Sequence, residues 1–274
     1  MPSLNPRSYL FVPGNRPDRF AKACAAGADA VVLDLEDSVA PADKSKARAA
    51  VAEWLTTERP VMVRVNTSDS EWFQEDLRLG RRPGIAGVLL PKAERVEEIR
   101  IIAEHFGSAT PVLPQIETAR GFRNNVALAS TAPVRHLLFG SIDFQLDLGM
   151  MADEEELLYF RSQIVLDSRL AGIDPPVDGV TTDIHSEERV RVEATRSRRL
   201  GFSGKMCIHP KQVPIVNECF TPTADEEAWA RRVVEASAGA PGAAIAVDGK
   251  MVDRPVLARA EVILVKAAQF RRLP

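Results

Sequence analysis

Short apolar runs alternate with longer segments of helical periodicity along most of this chain, and this alternation constrains the fold more than any other feature. Runs rich in Val, Ile and Leu that are separated by helical segments are typical of a parallel sheet built from βα units. Eight candidate strands follow one another: SYLFVP, AVVLDLED, VMVRVN, IAGVLLPK, PVLPQIET, VRHLLFGSIDF, DPPVDGV and KMCIHP. The pattern predicts an α/β fold, a closed (β/α)₈ TIM barrel, which takes about 250 residues.

The chain continues beyond the last predicted βα unit. Thr223 and Glu226 have the spacing of a capping box, which predicts that a helix begins there. A glycine- and alanine-rich hinge and an extended piece near residues 248–253 then lead to an apolar helix, VLARAEVILVKAAQF. We therefore predict a barrel over residues 1–220 and a C-terminal helical extension over residues 221–274 that packs on a neighbouring subunit.

Composition excludes several classes of partner. The net charge of −3 and the pI near 5.9 give no basic footprint for nucleic acid or an anionic membrane. No apolar stretch approaches the roughly 20 residues of a membrane span. The cysteines, Cys24, Cys207 and Cys219, lack C-x-x-C spacing, which favours a reducing cytoplasm over a disulfide framework or a zinc site.

Two acids, Glu117 and Asp143, each follow a predicted strand, and the two strands are neighbours in a barrel. The carboxyl ends of barrel strands build the active site, so both side chains are expected to point to one spot. Mg²⁺ is commonly held by one or two carboxylates together with water and substrate. We interpret the pair as a Mg²⁺ site; the alternative is that each acid merely caps the following helix.

Arg64 places a permanent charge inside the apolar run VMVRVN. A buried guanidinium is costly without a partner, so Arg64 must meet acids or a ligand. One interpretation is an ion pair with Asp34, Glu36 or Asp37. The other is bidentate capture of a substrate carboxylate, or of the oxygen that becomes negative during a reaction.

The run LDLEDSV carries three acids. Strand alternation sends Asp34 and Glu36 to one face and Asp37 to the other. We expect Glu36 and Asp37 to orient Arg64 and metal-bound water, and Asp34 to be structural.

A basic segment, GNRPDRFAKA, contributes Arg16, Arg19 and Lys22 to the first loop and first helical turns. Such a cluster suits a nucleotide phosphate, although a solvated helix face is an equally ordinary outcome. His209 follows the last strand, and we assign it no catalytic role because a packed histidine at a turn is the commoner case.

The ordered set of motifs resembles one known family over nearly the whole chain. The motifs are RSYLFVPGNRPDRFAKA, GADAVVLDLEDSV, K-x-x-A-R, VRVN, LLPKAE, QIETARG, FGSIDF, GFSGKMCIHPKQ and DGKMVDRP. Together they are similar to the citrate lyase β-subunit-like family, which is related to malyl-CoA, citramalyl-CoA and β-methylmalyl-CoA lyases.

The resemblance implies a role for each matching position. Glu117 and Asp143 would hold Mg²⁺, Arg64 would bind the oxoacid, and the basic segment would lie along CoA or an acyl-carrier phosphopantetheine. Asp253, in GKMVDRP, would be the acid/base presented to a neighbouring subunit's site in a homo-oligomer, a trimer or hexamer. This chain departs from the family's G-A-E-D at Gly140-Ser141-Ile142-Asp143, which alters a side chain at the mouth.

The function expected from this resemblance is that of a Mg²⁺-dependent carbon–carbon lyase. It would reversibly cleave a 3-hydroxy-3-carboxyalkyl thioester of the malyl-, citramalyl- or citryl-CoA type into an acyl-CoA and a 2-oxoacid. Two alternatives remain open: a metal-dependent aldolase on free hydroxy-oxoacids, and a non-catalytic thioester- or acyl-carrier-binding subunit of a larger complex.

Overall fold

Parallel strands form the centre of the fold. A computed structural model describes residues 5–152, 154–239 and 244–271. Within these residues, eight strands close into a barrel in chain order, and β8 pairs with β1. The strands are Ser8–Pro13 (β1), Ala30–Asp34 (β2), Val61–Arg64 (β3), Ile85–Leu90 (β4), Val112–Ile116 (β5), Leu138–Phe139 (β6), Val177–Asp178 (β7) and Gly204–Cys207 (β8). Every predicted run contains a strand, so the predicted (β/α)₈ barrel is confirmed.

Helices connect the strands and surround them. They are Phe20–Cys24 (α1), Lys44–Trp54 (α2), Phe73–Asp76 (α3), Val96–Phe106 (α4), Ala119–Arg123 (α5), Asn125–Ala129 (α6), Ser141–Leu148 (α7), Leu158–Leu170 (α8), Glu187–Leu200 (α9) and Gln212–Phe220 (α10). Local chemistry sets their ends. In α9 the Ser186 side chain accepts from the backbone N–H of Arg189, and Gly201 ends the helix with φ 105°, a conformation that favours glycine.

Apolar side chains fill the barrel interior. Every strand contributes to this core: Tyr9, Val32, Met62, Leu89, Leu113, Leu138, Val177 and Met206 come from β1 to β8 in turn. The barrel is therefore a packed core and not a pore, and the chemistry is confined to the strand ends.

Four buried charges lie around β7, β8 and the helices α8 and α9, and we call them the β7–β8 network: Arg161, Asp178, Glu193 and Lys205. Arg161 Nε lies 3.0 Å from Asp178 Oδ1, and Lys205 Nζ lies 3.5 Å from Glu193 Oε2. Burial alone would raise the pKa of Asp178, but Arg161 and Lys205 outweigh it and hold that pKa below its usual value. The network contains two charges of each sign.

A second compact unit begins at Glu218, whereas the first comprises Asn5–Asn217. This second unit contains Ala224–Ala238 (α11), Ile245–Val247 (β9), Lys250–Val252 (β10) and Arg254–Phe270 (α12). The predicted capping box of Thr223 and Glu226 is present. The second unit has a core of its own, which includes Ala230, Val233, Val252, Ala260 and Ile263. The predicted hinge lies partly outside the described residues, at 240–243, and packing on a neighbouring subunit remains a prediction.

No helix in the described part of the chain is long and apolar enough to cross a membrane.

Candidate active site

A cavity of about 340 Å³ opens at the carboxyl ends of the barrel strands. Its polar lining consists of Asp34, Asp37, Ser38, Arg64, Gln115, Glu117, Ser141 and Asp143, and its apolar lining of Phe11, Ile142, Val180, Met206 and Ile208. A larger groove, of about 530 Å³, lies along α8 and α9 on the outside of the barrel. Barrel enzymes carry out their chemistry at the carboxyl ends of the strands, so we place the candidate site in the first cavity.

Arg64 ends β3, and its guanidinium lies against acids from the β2 side. Its Nε and Nη2 donate to the two carboxylate oxygens of Asp34 at 2.6 and 2.7 Å, and Nη1 lies 3.0 Å from Glu36 Oε2. Burial disfavours both charges, but mutual pairing outweighs it, so the pKa of Arg64 is raised and that of Asp34 is lowered. The bidentate edge of Arg64 therefore faces Asp34, and the Nη1 side faces Glu36.

The three acids of LDLEDSV do not alternate as predicted. The strand β2 ends at Asp34, so the following residues turn and the period of two no longer applies. Asp37 lies on the same side as Glu36, with Oδ2 3.7 Å from Nη1 of Arg64. The predicted opposite face for Asp37 was wrong. Asp34, which we took as structural, makes the shortest contacts with Arg64.

Lys92 joins the acids from different strands. Its Nζ lies 3.0 Å from Glu36 Oε1 and 3.6 Å from Asp143 Oδ1. Its backbone N–H donates to Glu117 Oε2 at 2.7 Å. Burial disfavours the ammonium, but Glu117 and Glu36 outweigh it and raise the pKa of Lys92. Lys92 is thus a cation that both balances and positions these acids.

Glu117 follows β5 and is only 1% exposed. Gln115 Nε2 donates to its Oε1 at 2.7 Å, while the Lys92 N–H holds Oε2. Burial raises the pKa of Glu117, the charges of Glu36 and Asp143 raise it further, and Lys92 and Arg64 only partly oppose them, which leaves that pKa at about 8. Hydrogen bonds hold both oxygens of this carboxyl group in place. The positive charge nearby is too small to offset burial, so the group does not ionise fully at neutral pH.

Asp143 reaches the same cavity from the first turn of α7, which begins directly after β6. Its side chain is 31% exposed. Gly140 precedes the helix, and any side chain there would collide with the Glu117 carboxylate. Glycine at this position therefore lets α7 start close to Glu117, so that Glu117 and Asp143 share one site.

The donor set of this mouth suits a divalent cation. Five carboxyl groups (Asp34, Glu36, Asp37, Glu117 and Asp143) meet two cations, Arg64 and Lys92; we call these seven residues the acid cluster. Among the described residues no group of three or more His, Cys, Asp or Glu has a metal-binding arrangement. Mg²⁺ is often held by only one or two carboxylates, so the Glu117–Asp143 pair and the raised pKa of Glu117 fit that ion.

The three basic residues of the first loop do not act as one group. Arg16 is half-buried, and its Nε and Nη2 donate to Asp18 at 2.9 and 2.8 Å. Arg19 and Lys22 instead line a second cavity of about 310 Å³ together with His209. Phe11 and Ile208 line both cavities, so the basic cavity adjoins the acidic one.

Asp253 belongs to the second compact unit. It is the N-cap of α12, where its Oδ1 accepts from the backbone N–H of Val256 at 3.2 Å. Thus Asp253 has a local structural role that the sequence analysis did not foresee, and its predicted acid/base role remains a prediction.

Gln115 is a site residue that the sequence analysis missed, and Lys92, the last residue of the predicted run IAGVLLPK, was given no role there. A signal for Gln115 was present, because Gln115 and Glu117 are two residues apart at the end of a strand and so share a face. The backbone of Lys92 has a φ of 47°, which its sequence position did not predict.

The structure is a closed (β/α)₈ barrel with an acidic cavity at the carboxyl ends of its strands, which is where enzymes with this fold carry their active sites. The chain belongs to the HpcH/HpaI aldolase/citrate lyase family, whose profile matches residues 7–210. This confirms the family resemblance, and the chain is accordingly an enzyme of the lyase class.

Individual relatives extend the likeness to almost the full length. A citrate lyase subunit beta-like protein of Deinococcus radiodurans is 38% identical, over 94% of this chain and 96% of that protein. A (3S)-malyl-CoA thioesterase of Cereibacter sphaeroides is 34% identical, over 97% and 96%. The crystal structure of protein CitE from Mycobacterium tuberculosis with magnesium, acetoacetate and coenzyme A superposes with a TM-score of 0.87 at 36% identity, over 98% of this chain and all of that one.

Proposed function

We propose that this enzyme reversibly cleaves a 3-hydroxy-3-carboxyalkyl thioester of the malyl-, citramalyl- or citryl-CoA type into an acyl-CoA and a 2-oxoacid. The observation that carries the proposal is the acid cluster, in which Glu117 and Asp143 face one cavity beside a buried Arg64. A related structure that was crystallised with magnesium, an oxoacid and coenzyme A supports it.

Glu117 and Asp143 would hold Mg²⁺. When bound, Mg²⁺ supplies Lewis-acid stabilisation of the oxygen that changes between alkoxide and carbonyl as the carbon–carbon bond breaks. Gln115 and the Lys92 backbone fix both oxygens of Glu117, so this carboxylate is oriented before substrate arrives.

Arg64 would bind the oxoacid through its Nη1 side. Asp34 occupies the bidentate edge, and Glu36 and Asp37 flank Nη1, so the guanidinium is held in one orientation. Its role is then to place one fixed positive charge at the developing oxygen or the carboxylate.

The thioester carrier would lie along the basic cavity. Arg19 and Lys22 supply the positive charge for CoA or carrier phosphates there, next to the acidic cavity. Arg16 is paired with Asp18 and would contribute only after that pair opens. A reducing, cytoplasmic location belongs to this proposal, because Cys24, Cys207 and Cys219 lack the spacing of a disulfide framework.

Asp253 would move the proton at the acyl α-carbon of a substrate bound to a neighbouring subunit. The second unit has a core of its own and exposes Met251, Val262 and Val265, and such exposed apolar residues are common at subunit contacts. A homo-oligomer, a trimer or hexamer, would bring Asp253 of one subunit to the substrate site of another.

Direct assay tests the reaction. Purified protein is incubated with the CoA thioesters of malate, citramalate and citrate, with Mg²⁺ or with excess chelator, and the products are separated. Release of a 2-oxoacid and an acyl-CoA only with Mg²⁺ is expected. No carbon–carbon cleavage of any of the three, together with binding of an acyl carrier, would instead identify a carrier-binding subunit.

Thioester hydrolysis is a second candidate, because one relative is named a malyl-CoA thioesterase. Hydrolysis would leave the hydroxy acid intact and release free CoA, whereas cleavage gives an oxoacid and an acyl-CoA. The same product analysis separates the two. Cleavage of free hydroxy-oxoacids is also measured in wild type and in Arg19→Ala. Equal cleavage of these free acids by both proteins would indicate an aldolase that does not need the basic cavity.

Subunit mixing tests the shared site. Asp253→Asn and Arg64→Ala proteins are each expected to be inactive, and mixed oligomers should regain activity because some sites combine two intact halves. A fully active monomer, or proven subunit exchange without recovery, would contradict the shared site.

A further inference from the structure

The acid-lined cavity has a second wall of opposite character. Phe11, Ile142, Val180, Met206 and Ile208 line it from β1, α7, the end of β7 and the end of β8. We call these five residues the apolar wall. Ile142 is 47% exposed and lies one residue before Asp143, so this side chain stands beside the proposed metal site at the opening of the cavity.

Positive charge is scarce in the same cavity. In the described part of the chain, Arg64 is the only Lys, Arg or His side chain that lines it, and two of its nitrogens donate to Asp34. The nearby Lys92 ammonium lies next to the lining, but it is already shared by Glu36 and Asp143, at 3.0 and 3.6 Å. Four carboxyl groups, those of Asp34, Asp37, Glu117 and Asp143, also line it. One substrate carboxylate can be accommodated by Arg64 and the proposed Mg²⁺ site, but a second would meet apolar carbon or further negative charge.

Neutral hydrogen-bond donors do not make up for the shortage of positive charge in the cavity. The Ser141 hydroxyl lies in the cavity lining and has no hydrogen-bond partner among the described atoms. One hydroxyl can donate a single hydrogen bond, which does not replace the hydration of a carboxylate. An alkyl group, by contrast, gains from burial against Ile142, Val180 and Met206.

We infer that the oxoacid portion of the substrate carries a single carboxylate, with hydrogen or an alkyl group on its other side packed against the apolar wall, and that Ile142 determines this specificity. The inference rests on the proposed function and selects the malyl and citramalyl type over the citryl type within it. Discrimination against the second carboxylate is expected to be on the order of 100-fold.

Binding of free oxoacids tests the inference without requiring turnover. Titration calorimetry of the wild-type protein with Mg²⁺ compares pyruvate with oxaloacetate, which differ by one carboxyl group. Pyruvate should bind more tightly, by about 100-fold. Equal binding, or tighter binding of oxaloacetate, overturns the inference.

Variants of α7 assign the effect to one position. Ile142→Lys adds a positive charge to the apolar wall and should reduce the preference for pyruvate over oxaloacetate by at least about tenfold. Ile142→Met adds no charge and has a side chain of similar size, so it should keep the wild-type preference. Leu146→Lys is the control, because Leu146 is 80% exposed on the same helix and does not line the cavity. An unchanged preference in Ile142→Lys, or an equal change in Leu146→Lys, removes Ile142 as the determinant.

The two hypotheses fail separately. If pyruvate binds preferentially but no CoA thioester is cleaved, the proposed reaction is wrong and the specificity inference stands. If citryl-CoA is cleaved as efficiently as citramalyl-CoA in the presence of Mg²⁺, the reaction stands and the specificity inference is wrong.

Discussion

Two groups of charged residues lie in the barrel unit, and they are balanced differently. In the β7–β8 network two cations meet two acids, and all four side chains are buried. In the acid cluster two cations meet five acids around an open cavity. The pKa of Asp178 is lowered in the first group, whereas that of Glu117 is raised to about 8 in the second.

This difference indicates that the β7–β8 network is structural and that the acid cluster is a binding site. Asp178 keeps its charge because neighbouring cations compensate for burial, so nothing more is needed from outside the protein. Glu117 is equally buried, but Lys92 and Arg64 do not compensate for that burial, so its pKa stays raised, and a bound cation would favour the ionised carboxylate. Substitutions in the first group should therefore affect stability, and substitutions in the second should affect activity.

The largest effect is expected from Glu117→Gln. The amide preserves shape but removes the charge that would hold Mg²⁺, so Mg²⁺-dependent kcat/KM should fall at least about 1000-fold. Stability of the metal-free protein should not fall, since the carboxyl group already costs free energy when ionised there. Steady-state kinetics and urea unfolding measure the two quantities.

Glu94→Gln is a suitable control for Glu117→Gln, because Glu94 lies near the same strand ends but does not line the cavity. Near-normal turnover in Glu117→Gln would show that Glu117 is not a metal ligand of the active enzyme.

Asp178→Asn should have the next largest effect, on folding. The substitution removes the charge that neutralises Arg161 in a fully buried position, which typically costs about 3 kcal/mol of unfolding free energy. Thermal and urea unfolding of the variant measure the loss. A variant as stable as wild type would mean that the β7–β8 network is not balanced by this pair.

The sequence alone predicted the fold better than the site. All eight apolar runs contain strands, but β6 and β7 are two residues long within runs of eleven and seven residues. Their ends are set by pairing with neighbouring strands, which periodicity does not report. The buried Arg161–Asp178 pair also left no signal, because the partners come from a helix and a strand.

Within the site, positions were predicted better than partners: pairing of Arg64 with Asp34, Glu36 or Asp37 was one of two interpretations, and the structure shows contacts with these acids. Arg64, Glu117 and Asp143 meet at one cavity because strand ends converge in any barrel. The choice of Asp34 as the bidentate partner of Arg64 depends on β2 ending there, and the separation of Arg16 from Arg19 depends on a local pair with Asp18. Such short-range competition between side chains is settled only by three-dimensional geometry.

Arg64→Lys should reduce kcat/KM about 100-fold, less than the loss of a metal ligand. Lysine keeps one charge but cannot contact Asp34 through two nitrogens while presenting a third to Glu36. Kinetics with saturating Mg²⁺ would show the loss. If Lys92→Met, which removes the other cation of the cluster, impaired the enzyme while Arg64→Lys did not, Lys92 would be the oxoacid-binding cation.

The most gradual effect is a dependence of stability on pH that Glu117 imposes on the metal-free protein. Its folded pKa of about 8 lies above the ordinary value of 4.5, so between these values the folded state keeps a proton that the unfolded state has lost. Stability must therefore fall as pH rises through this window, by at most about 1.4 kcal/mol per pH unit from this group. Urea unfolding of wild type and Glu117→Gln with chelator, from about pH 5 to about pH 8, isolates the contribution as the difference between the two slopes. Mg²⁺ should restore wild-type stability more at the alkaline end than at the acidic end, because only the ionised carboxylate can bind the cation. Parallel slopes in the two proteins would show that Glu117 ionises normally and that the acid cluster is already balanced without a metal.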